Sequence, residues 1–332
     1  MSALLEVRNL RVGIAGRPAQ EIVRGVSFVL KRGERLGLVG ESGSGKSVTA
    51  LSIARLIHTP LRVLGGEVYL EGVDLLRLSD RRMNRVRGGR IGLIYQDPMA
   101  ALNPVQTVGT QIAEAIRLHS HMSRAAARAR AIELLGDVGL PHAAQRVDSY
   151  PHELSGGLRQ RALIAIAISA DPELLLADEP TTALDVTTQA RILDLLGELS
   201  ATRGISVLLI THDLAVATEF CDTIQVMYAG RIVEQAAVGA FYERPLHPYT
   251  RALLQTEVNL ETDISRPIPT IAGQPPLPGE FEGCCAFAPR CAVVEQVCRE
   301  VRPDLVAIGN GTVACHVAAA TAVVVNRRPL TP

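Results

Sequence analysis

The chain has 332 residues, 47% of them hydrophobic, which suffices for roughly two folded domains and excludes a disordered or fibrous protein. Its 34 basic and 34 acidic residues balance, and its aromatic content is 3% without tryptophan, so neither net charge nor base-stacking side chains favour a nucleic-acid partner. The first residues lack the basic and long apolar regions of a signal peptide, and we therefore expect a cytoplasmic protein.

Short, continuous apolar runs predict strands buried on both faces, at residues 36–39, 91–95, 174–177, 207–210 and 223–228. Apolar residues at helical spacing predict helices over residues 124–138 and 187–199, and the alternation predicts an α/β fold. We expect a mostly helical subdomain from about residue 97 to 165. A boundary falls near residue 240, beyond which proline and cysteine become frequent. Residues 305–326 are uncharged, but Gly309, Asn310 and Gly311 predict strands and a turn there rather than a membrane-spanning helix.

Residues 40–47 form a candidate phosphate-binding loop. They read GESGSGKS and fit the pattern G-x-x-x-x-G-K-[ST] between a predicted strand and a predicted helix. In this pattern backbone N–H groups surround the phosphates, Lys46 reaches the β and γ oxygens, and the Ser47 hydroxyl binds Mg²⁺. Lys46 is one of two lysines in the chain, and a broad guanidinium cannot replace its compact ammonium. A plain glycine-rich turn is the alternative. The predicted ATP-binding residues are Gly40, Ser42, Gly43, Ser44, Gly45, Lys46, Ser47 and Thr49.

Two carboxylates end the apolar run at residues 174–177. We expect Asp178 to support Mg²⁺ and Glu179 to polarise the water that attacks the γ-phosphorus. A capped turn is the alternative, because Asp-Glu-Pro also occurs in ordinary turns. His212 follows the run at 207–210, at the sheet edge where phosphate chemistry collects, and a purely structural histidine is the alternative there.

Residues 154–161 (LSGGLRQR) resemble the signature of the ATP-binding-cassette (ABC) ATPases. Other motifs of that family occur in the same order: Gln96 matches the Q-loop, Asp185 ends the D-loop at 183–185, and His212 matches the switch histidine. The resemblance implies a P-loop cassette fold over residues 1–240, with a RecA-like core sheet, an antiparallel β subdomain and the helical subdomain. It implies a catalytic set of Glu179, His212 and Gln96, and a Mg²⁺-binding set of Ser47, Gln96 and Asp178.

The resemblance further implies a sandwich dimer that closes on ATP and opens after hydrolysis. A serine hydroxyl and glycine N–H groups at the start of a helix form an anion site. The signature residues of one subunit would thus contact ATP on the partner's phosphate loop; they are Leu154, Ser155, Gly156 and Gly157. Many cassettes stack an aromatic side chain on adenine, but none lies between Met1 and Arg24, so we expect aliphatic contact near Ile14 instead.

Finer details resemble the peptide and nickel importer subgroup: Leu158, residues 95–104 (YQDPMAALNP) and residues 247–254 (HPYTRALL). The resemblance implies an ATPase subunit that powers import of di- or oligopeptides, with nickel or another small solute as the alternative cargo. The implied partners are two membrane permease subunits, a second cassette ATPase (a paralogue or another copy) and an extracytoplasmic solute-binding protein. The chain would lie at the cytoplasmic face of the inner membrane. A soluble cassette ATPase acting on DNA or ribosomes is less favoured, because the chain has one cassette, no heptad run and zero net charge.

Five of the six cysteines lie after residue 283, which in a reducing compartment indicates metal or cluster ligation rather than disulfides. Their spacing differs from zinc-ribbon and ferredoxin patterns. The subgroup's C-terminal extension, here residues 241–332, has the same arrangement. The resemblance therefore implies a [4Fe-4S] cluster on Cys285, Cys291, Cys298 and Cys315. Structural Zn²⁺ or reduced thiols are the alternatives, and Cys284 is an alternative ligand.

Overall fold

The computed structural model describes residues 2–182, 184–256, 270–280 and 283–326. The strands within these residues are β1 (Ala3–Ile14), β2 (Arg17–Lys31), β3 (Arg35–Val39), β4 (Leu61–Leu70), β5 (Val73–Asp74), β6 (Ile91–Ile94), β7 (Leu174–Asp178), β8 (Ser206–Thr211), β9 (Thr223–Tyr228), β10 (Arg231–Ala237), β11 (Val306–Ile308) and β12 (Gly311–Val313). The helices are α1 (Lys46–Ile53), α2 (Asp80–Val86), α3 (Pro98–Ala101), α4 (Val108–His119), α5 (Arg124–Asp137), α6 (Ala143–Arg146), α7 (Gly156–Ala167), α8 (Val186–Arg203), α9 (Leu214–Phe220), α10 (Val238–Glu243), α11 (Pro248–Gln255), α12 (Gln296–Glu300) and α13 (His316–Asn326).

The chain divides into two compact units: unit 1 contains Met1–Leu5, Val29–Arg35 and Tyr69–Ile210, and unit 2 contains Glu6–Phe28, Leu36–Val68 and Thr211–Pro332. In unit 1, β7 lies between β6 and β8 in a parallel arrangement, and all of its residues are buried, as a run apolar on both faces requires. Helices α4, α5 and α7 pack on one another. α4 and α5 begin at Thr107 and Ser123, whose hydroxyls each accept a backbone N–H.

In unit 2, β3 pairs in parallel with β9, and the antiparallel strands β10, β12 and β11 continue outward from β9 in that order. The five predicted strands are therefore confirmed, as β3, β6, β7, β8 and β9, and so are the two predicted helices, as α5 and α8. The predicted domain boundary at residue 240 stays a prediction.

An aromatic cluster joins the sheet of unit 2 to residues near the C-terminus. The ring of Tyr228 on β9 lies 4.6 Å from that of Tyr249 on α11 and 5.3 Å from that of Phe287, centroid to centroid. The rings of Tyr249 and Phe287 are 5.4 Å apart. All three side chains are buried, and each aromatic pair adds about 0.5–1.5 kcal/mol beyond the burial of apolar area. Residues beyond 240 thus contribute directly to this core.

The expectation for residues 305–326 is half correct. β11, a turn and β12 occupy the first part, but His316–Asn326 forms the helix α13, because the alanine-rich sequence after the last glycine favours a helix. Among the described residues, no helix has both the length and the apolar character that spanning a membrane requires.

Candidate functional site

The loop of residues 40–47 connects β3 to α1, as the sequence predicts. A Cβ atom at Gly40 would lie 2.2 Å from the carbonyl oxygen of Met227, so a larger residue would have to displace backbone. Gly45 is the N-cap of α1 and has φ of 103°, in the left-handed region that glycine adopts readily. Glycine at these two positions therefore lets the loop fold back to the start of α1, and the positive end of a helix dipole favours an anion.

Lys46 lies inside this loop. Its side chain is buried, and Nζ donates hydrogen bonds to the carbonyl oxygens of Gly40 at 2.7 Å and Glu41 at 3.0 Å. Ser44 Oγ is also buried and finds no hydrogen-bond partner in the part of the chain that the structure describes. A buried hydroxyl without a partner is costly, and a phosphate oxygen would satisfy it. The loop thus fits the phosphate groups of ATP.

The remaining predicted ATP-binding residues differ in exposure. Ser42 and Gly43 are exposed, and Ser47 is half-buried. Thr49 is fully buried, and its hydroxyl donates to the carbonyl oxygen of Gly45 at 2.9 Å. Its hydroxyl is therefore already engaged within α1, and a role in binding ATP stays a prediction.

Two residues far along the chain hold the phosphate loop. Arg290 donates from both terminal nitrogens to the carboxylate of Glu41, at 2.7 and 2.9 Å, and this pair raises the pKa of Arg290 further. The hydroxyl of Tyr249 accepts the backbone N–H of Glu41 at 2.8 Å. Arg290 carries no signal in the sequence, because no local pattern marks a pair separated by 249 positions. Tyr249 does carry a signal in the sequence, because it lies in the segment 247–254 that resembles the importer subgroup.

β7 ends at the two predicted carboxylates. Asp178 is its last residue and is buried. Glu179 follows with φ of 46°, a left-handed conformation that costs a non-glycine residue about 1–3 kcal/mol and is concentrated at functional sites. The Glu179 N–H donates to the carbonyl oxygen of Ile210 at 2.8 Å, which fixes this backbone against the end of β8.

Gln96 and Glu179 contact each other in unit 1. Gln96 Nε2 donates to Glu179 Oε2 at 2.9 Å, and Thr182 Oγ1 donates to the same oxygen at 2.9 Å. The structure thus joins two residues that the sequence placed in separate motifs. Thr182 was not predicted, since a threonine in a turn carries no distinctive signal.

The signature residues surround the start of α7. Leu154 is buried, whereas Ser155 and Gly156 are exposed, and the Ser155 hydroxyl does not cap its own helix. At Gly157 a Cβ atom would lie 2.7 Å from the Thr188 methyl group, so a larger residue would have to displace that side chain. The first turn of α7 is therefore open to an incoming anion.

The D-loop lies beside the signature. Asp185 is the N-cap of α8 and accepts hydrogen bonds from the N–H of Thr188 at 2.9 Å and its hydroxyl at 2.7 Å, which lower the pKa of Asp185. Ala183 lies outside the described residues. In unit 2, His212 follows β8 and is exposed.

The four cysteines come near one another in unit 2. The N–H of Cys285 donates to the carbonyl oxygen of Cys298 at 2.9 Å. Burial raises the pKa of Cys285 to about 11, and proximity to Cys298 and Cys315 adds to this shift. The pKa of Cys291 is also raised, by burial and by the same two thiols. Even so, no three His, Cys, Asp or Glu side chains of the described residues are arranged to hold a metal ion.

The chain is similar to known transport proteins over most of its length. Residues 23–182 match the family described as ABC transporter, and residues 233–298 match the C-terminal region of oligopeptide/dipeptide transporters. A probable peptide ABC transporter ATP-binding protein, y4tR, from Sinorhizobium fredii is 50% identical over 313 residues, covering 94% of this chain and 93% of that protein. The oligopeptide transport ATP-binding protein AppD from Bacillus subtilis is 45% identical over 319 residues, covering 95% and 97%.

Solved structures show the same architecture. The dimeric ATP-binding cassette MJ0796 in a post-hydrolysis state with ADP and phosphate is 29% identical, with a TM-score of 0.63 over 70% of this chain and 98% of that chain. The cassette cbiO1 from Clostridium perfringens has a TM-score of 0.64 over 74% and 92%, at 24% identity. The predicted cassette fold is thereby confirmed. The two structures cover 70% and 74% of this chain and do not confirm the predicted cysteine-rich extension.

Proposed function

The chain belongs to the ABC transporter family of ATPases, and on this premise we propose that it is the ATP-hydrolysing subunit of an importer of di- or oligopeptides. The observation that carries the proposal is the extent of the relatedness: relatives named for peptide transport align with 94% and 95% of the chain. The match at residues 233–298 lies outside the nucleotide motifs and favours peptides over nickel or another small solute as the cargo.

The phosphate loop holds ATP in this proposal. Lys46 moves its ammonium from the loop carbonyls to the β and γ oxygens, and Ser44 gains the partner that its buried hydroxyl lacks among the described residues. When bound, Mg²⁺ neutralises charge on the phosphate oxygens. Ser47, Asp178 and Gln96 are its proposed ligands.

Glu179 orients and polarises the attacking water, and Gln96 and Thr182 fix its carboxylate. Because the Nε2 of Gln96 is bonded to Glu179, its Oε1 is the atom offered to Mg²⁺, which prefers oxygen ligands. His212 completes the proposed catalytic set.

A second cassette, another copy or a paralogue, completes the site. The open start of α7 supports this role for Leu154, Ser155, Gly156 and Gly157. Thr188, which is hydrogen-bonded to Asp185, lies beside Gly157 in the same unit. We also propose that Cys285, Cys291, Cys298 and Cys315 bind an iron–sulfur cluster, or Zn²⁺. The backbone hydrogen bond between Cys285 and Cys298 supports this, although these side chains do not form a metal site in the structure.

The proposed partners are two membrane permeases and an extracytoplasmic solute-binding protein, with this chain bound at the cytoplasmic face of the inner membrane. The test is to solubilise native membranes gently, capture the full chain and identify proteins present in stoichiometric amounts. Two permeases with a second cassette or a solute-binding protein are expected. Ribosomal or DNA-repair proteins instead would overturn the transport function.

Uptake assays then separate the possible cargoes. A strain that lacks this chain should lose uptake of labelled dipeptides, and the wild-type gene but not its Glu179→Gln variant should restore it. Loss of nickel uptake with intact peptide uptake would reassign the cargo while leaving the ATPase function in place.

A further inference from the structure

Several arginines from separate parts of the sequence converge on one place in unit 2. Two adjoining cavities, of about 280 and 350 Å³, share Arg24, Gly25, Arg231 and Arg302 in their walls. Arg24 comes from β2, Arg231 from the start of β10, and Arg302 from the segment after α12. Arg11 on β1 lines the second cavity as well.

These guanidinium groups are poorly compensated. Arg11 pairs with Glu21, but within the described residues neither Arg24, Arg231 nor Arg302 forms an ion pair. Among the described residues, the carboxylates in the two cavity walls are Glu21 and Asp304, so the four arginines exceed the described carboxylates by two.

Burial adds to the cost of this arrangement. Arg24 is 7% exposed, and its Nη1 donates to the carbonyl oxygen of Glu280 at 3.5 Å. Arg231 Nε is buried without a hydrogen-bond partner among the described residues. Burial and the neighbouring arginines lower the pKa of Arg231 to about 10. A buried cationic donor without a partner, as the Nε of Arg231 is among the described residues, is costly unless a ligand satisfies it.

The geometry points to a binding site for a small phosphate-bearing anion in this cavity, held by Arg24, Arg231 and Arg302. Guanidinium groups match the tetrahedral oxygens of phosphate with paired hydrogen bonds. Since one water occupies about 30 Å³, the 280 Å³ cavity has room for more than a single phosphate group. The ligand would tie the segment carrying Arg302 to β2 and β10, and so would hold the C-terminal part of unit 2 on its sheet.

The probe is inorganic pyrophosphate, titrated calorimetrically into the full chain in Mg²⁺-free buffer with saturating ADP, so that the phosphate loop is already occupied. We expect saturable binding that weakens as salt rises, because salt screens the charges. Arg302→Gln and Arg231→Gln should each weaken it about tenfold or more, as loss of a charge-assisted hydrogen bond does. Arg302 is exposed, so its variant tests the site even if the Arg231 variant does not fold.

Arg299→Gln is the matched control: Arg299 is exposed on α12 and does not line either cavity. Its affinity for pyrophosphate should equal that of the wild type. Absence of saturable binding to the wild-type chain, or equal affinity in the Arg302→Gln and Arg299→Gln variants, would overturn the site. Neither result bears on the ATPase function.

Discussion

Arg290, between two of the clustered cysteines, forms a two-pronged ion pair with Glu41 in the phosphate loop, at 2.7 and 2.9 Å. The side chains are 4% and 25% exposed, so the pair is largely shielded from water. Without Arg290, the Glu41 carboxylate would stand uncompensated in the loop proposed to bind the phosphates of ATP. The pair therefore has two separable effects: it anchors the C-terminal segment, and it neutralises a negative charge where a polyanion binds.

The first prediction separates these effects. Arg290→Ala should lower the free energy of unfolding by about 1–3 kcal/mol and weaken ATP binding about tenfold. Adding Glu41→Gln should recover much of the ATP affinity, because the repelling charge is gone, but little of the anchoring. Fluorescent-nucleotide titration and urea unfolding measure the two quantities. Equal ATP affinity in the single and double variants would show that charge is not the cause.

The second prediction concerns the water-polarising role of Glu179. Glu179→Gln should keep ATP binding, accumulate a closed dimer and lose turnover by about 10²–10⁴-fold. Size-exclusion chromatography with ATP and a phosphate-release assay test this. Lys46→Ala is the contrasting variant, since it should lose nucleotide binding itself. Normal hydrolysis by the Glu179→Gln variant would refute the assigned role.

The third prediction concerns the hydrogen bond between Gln96 and Glu179. Gln96→Ala removes both this bond and the proposed Mg²⁺ ligand, whereas Thr182→Val removes an equivalent bond to the same oxygen and no metal ligand. Both should reduce kcat about tenfold or more, through a less fixed carboxylate. The Gln96 variant alone should also need more Mg²⁺ for half-maximal activity. Identical Mg²⁺ dependence in the two variants would argue against metal binding by Gln96.

The fourth prediction is a pH dependence of stability from His247. Burial lowers its pKa to about 3, against an unfolded value of about 6.5, and its Nδ1 accepts the N–H of Tyr249 at 3.0 Å. As the pH falls, His247 is therefore protonated in the unfolded chain while it stays neutral in the folded chain. The contribution of His247 to the free energy of unfolding is complete above about pH 6.5. It is lost as the pH falls towards 3, by up to about 1.4 kcal/mol per pH unit.

His247→Asn tests this, because asparagine can cap α11 in the same way but does not titrate. Urea unfolding at several pH values should give a flatter profile for the variant. Glu234, whose pKa burial raises, has an opposite slope but is present in both proteins, so it cancels in the comparison. Parallel profiles would mean that folding does not change the pKa of His247.

The fifth prediction addresses the cysteines. Anaerobically purified protein should contain iron and acid-labile sulfide, about four of each per chain for a [4Fe-4S] cluster, and Cys291→Ser should lose both. Cys221→Ser is the control, because Cys221 is not one of the four proposed ligands. Its sulfur packs against Gly37 instead, 3.0 Å from where a Cβ atom on that glycine would lie. Protein that contains zinc but no iron would contradict the iron–sulfur cluster and support the alternative, a structural Zn²⁺ site.

Local sequence was sufficient for the elements that carry the nucleotide motifs. The apolar run before Asp178 and the glycines of residues 40–47 determine conformation within a few neighbours, and both were predicted. The bond between Gln96 and Glu179 and the pair between Arg290 and Glu41 join positions 83 and 249 apart. Their proximity depends on the whole packed chain, which no local periodicity encodes. The helix α13 is not predicted for a different reason. Gly309 and Gly311 favour a turn, and the alanines that favour a helix come only after them.

β12 covers the outer edge of β10: Glu234 lies opposite Val313, and the N–H of Ala314 donates to the carbonyl oxygen of Val233 at 2.8 Å. The chain leaves β10 near residue 237 and returns more than 70 positions later to cover that strand's outer side. An uncovered strand edge is a template for pairing with other molecules. A protein shortened after residue 240 would thus expose the hydrogen-bonding groups of β10. We expect it to self-associate through this edge and to lose solubility.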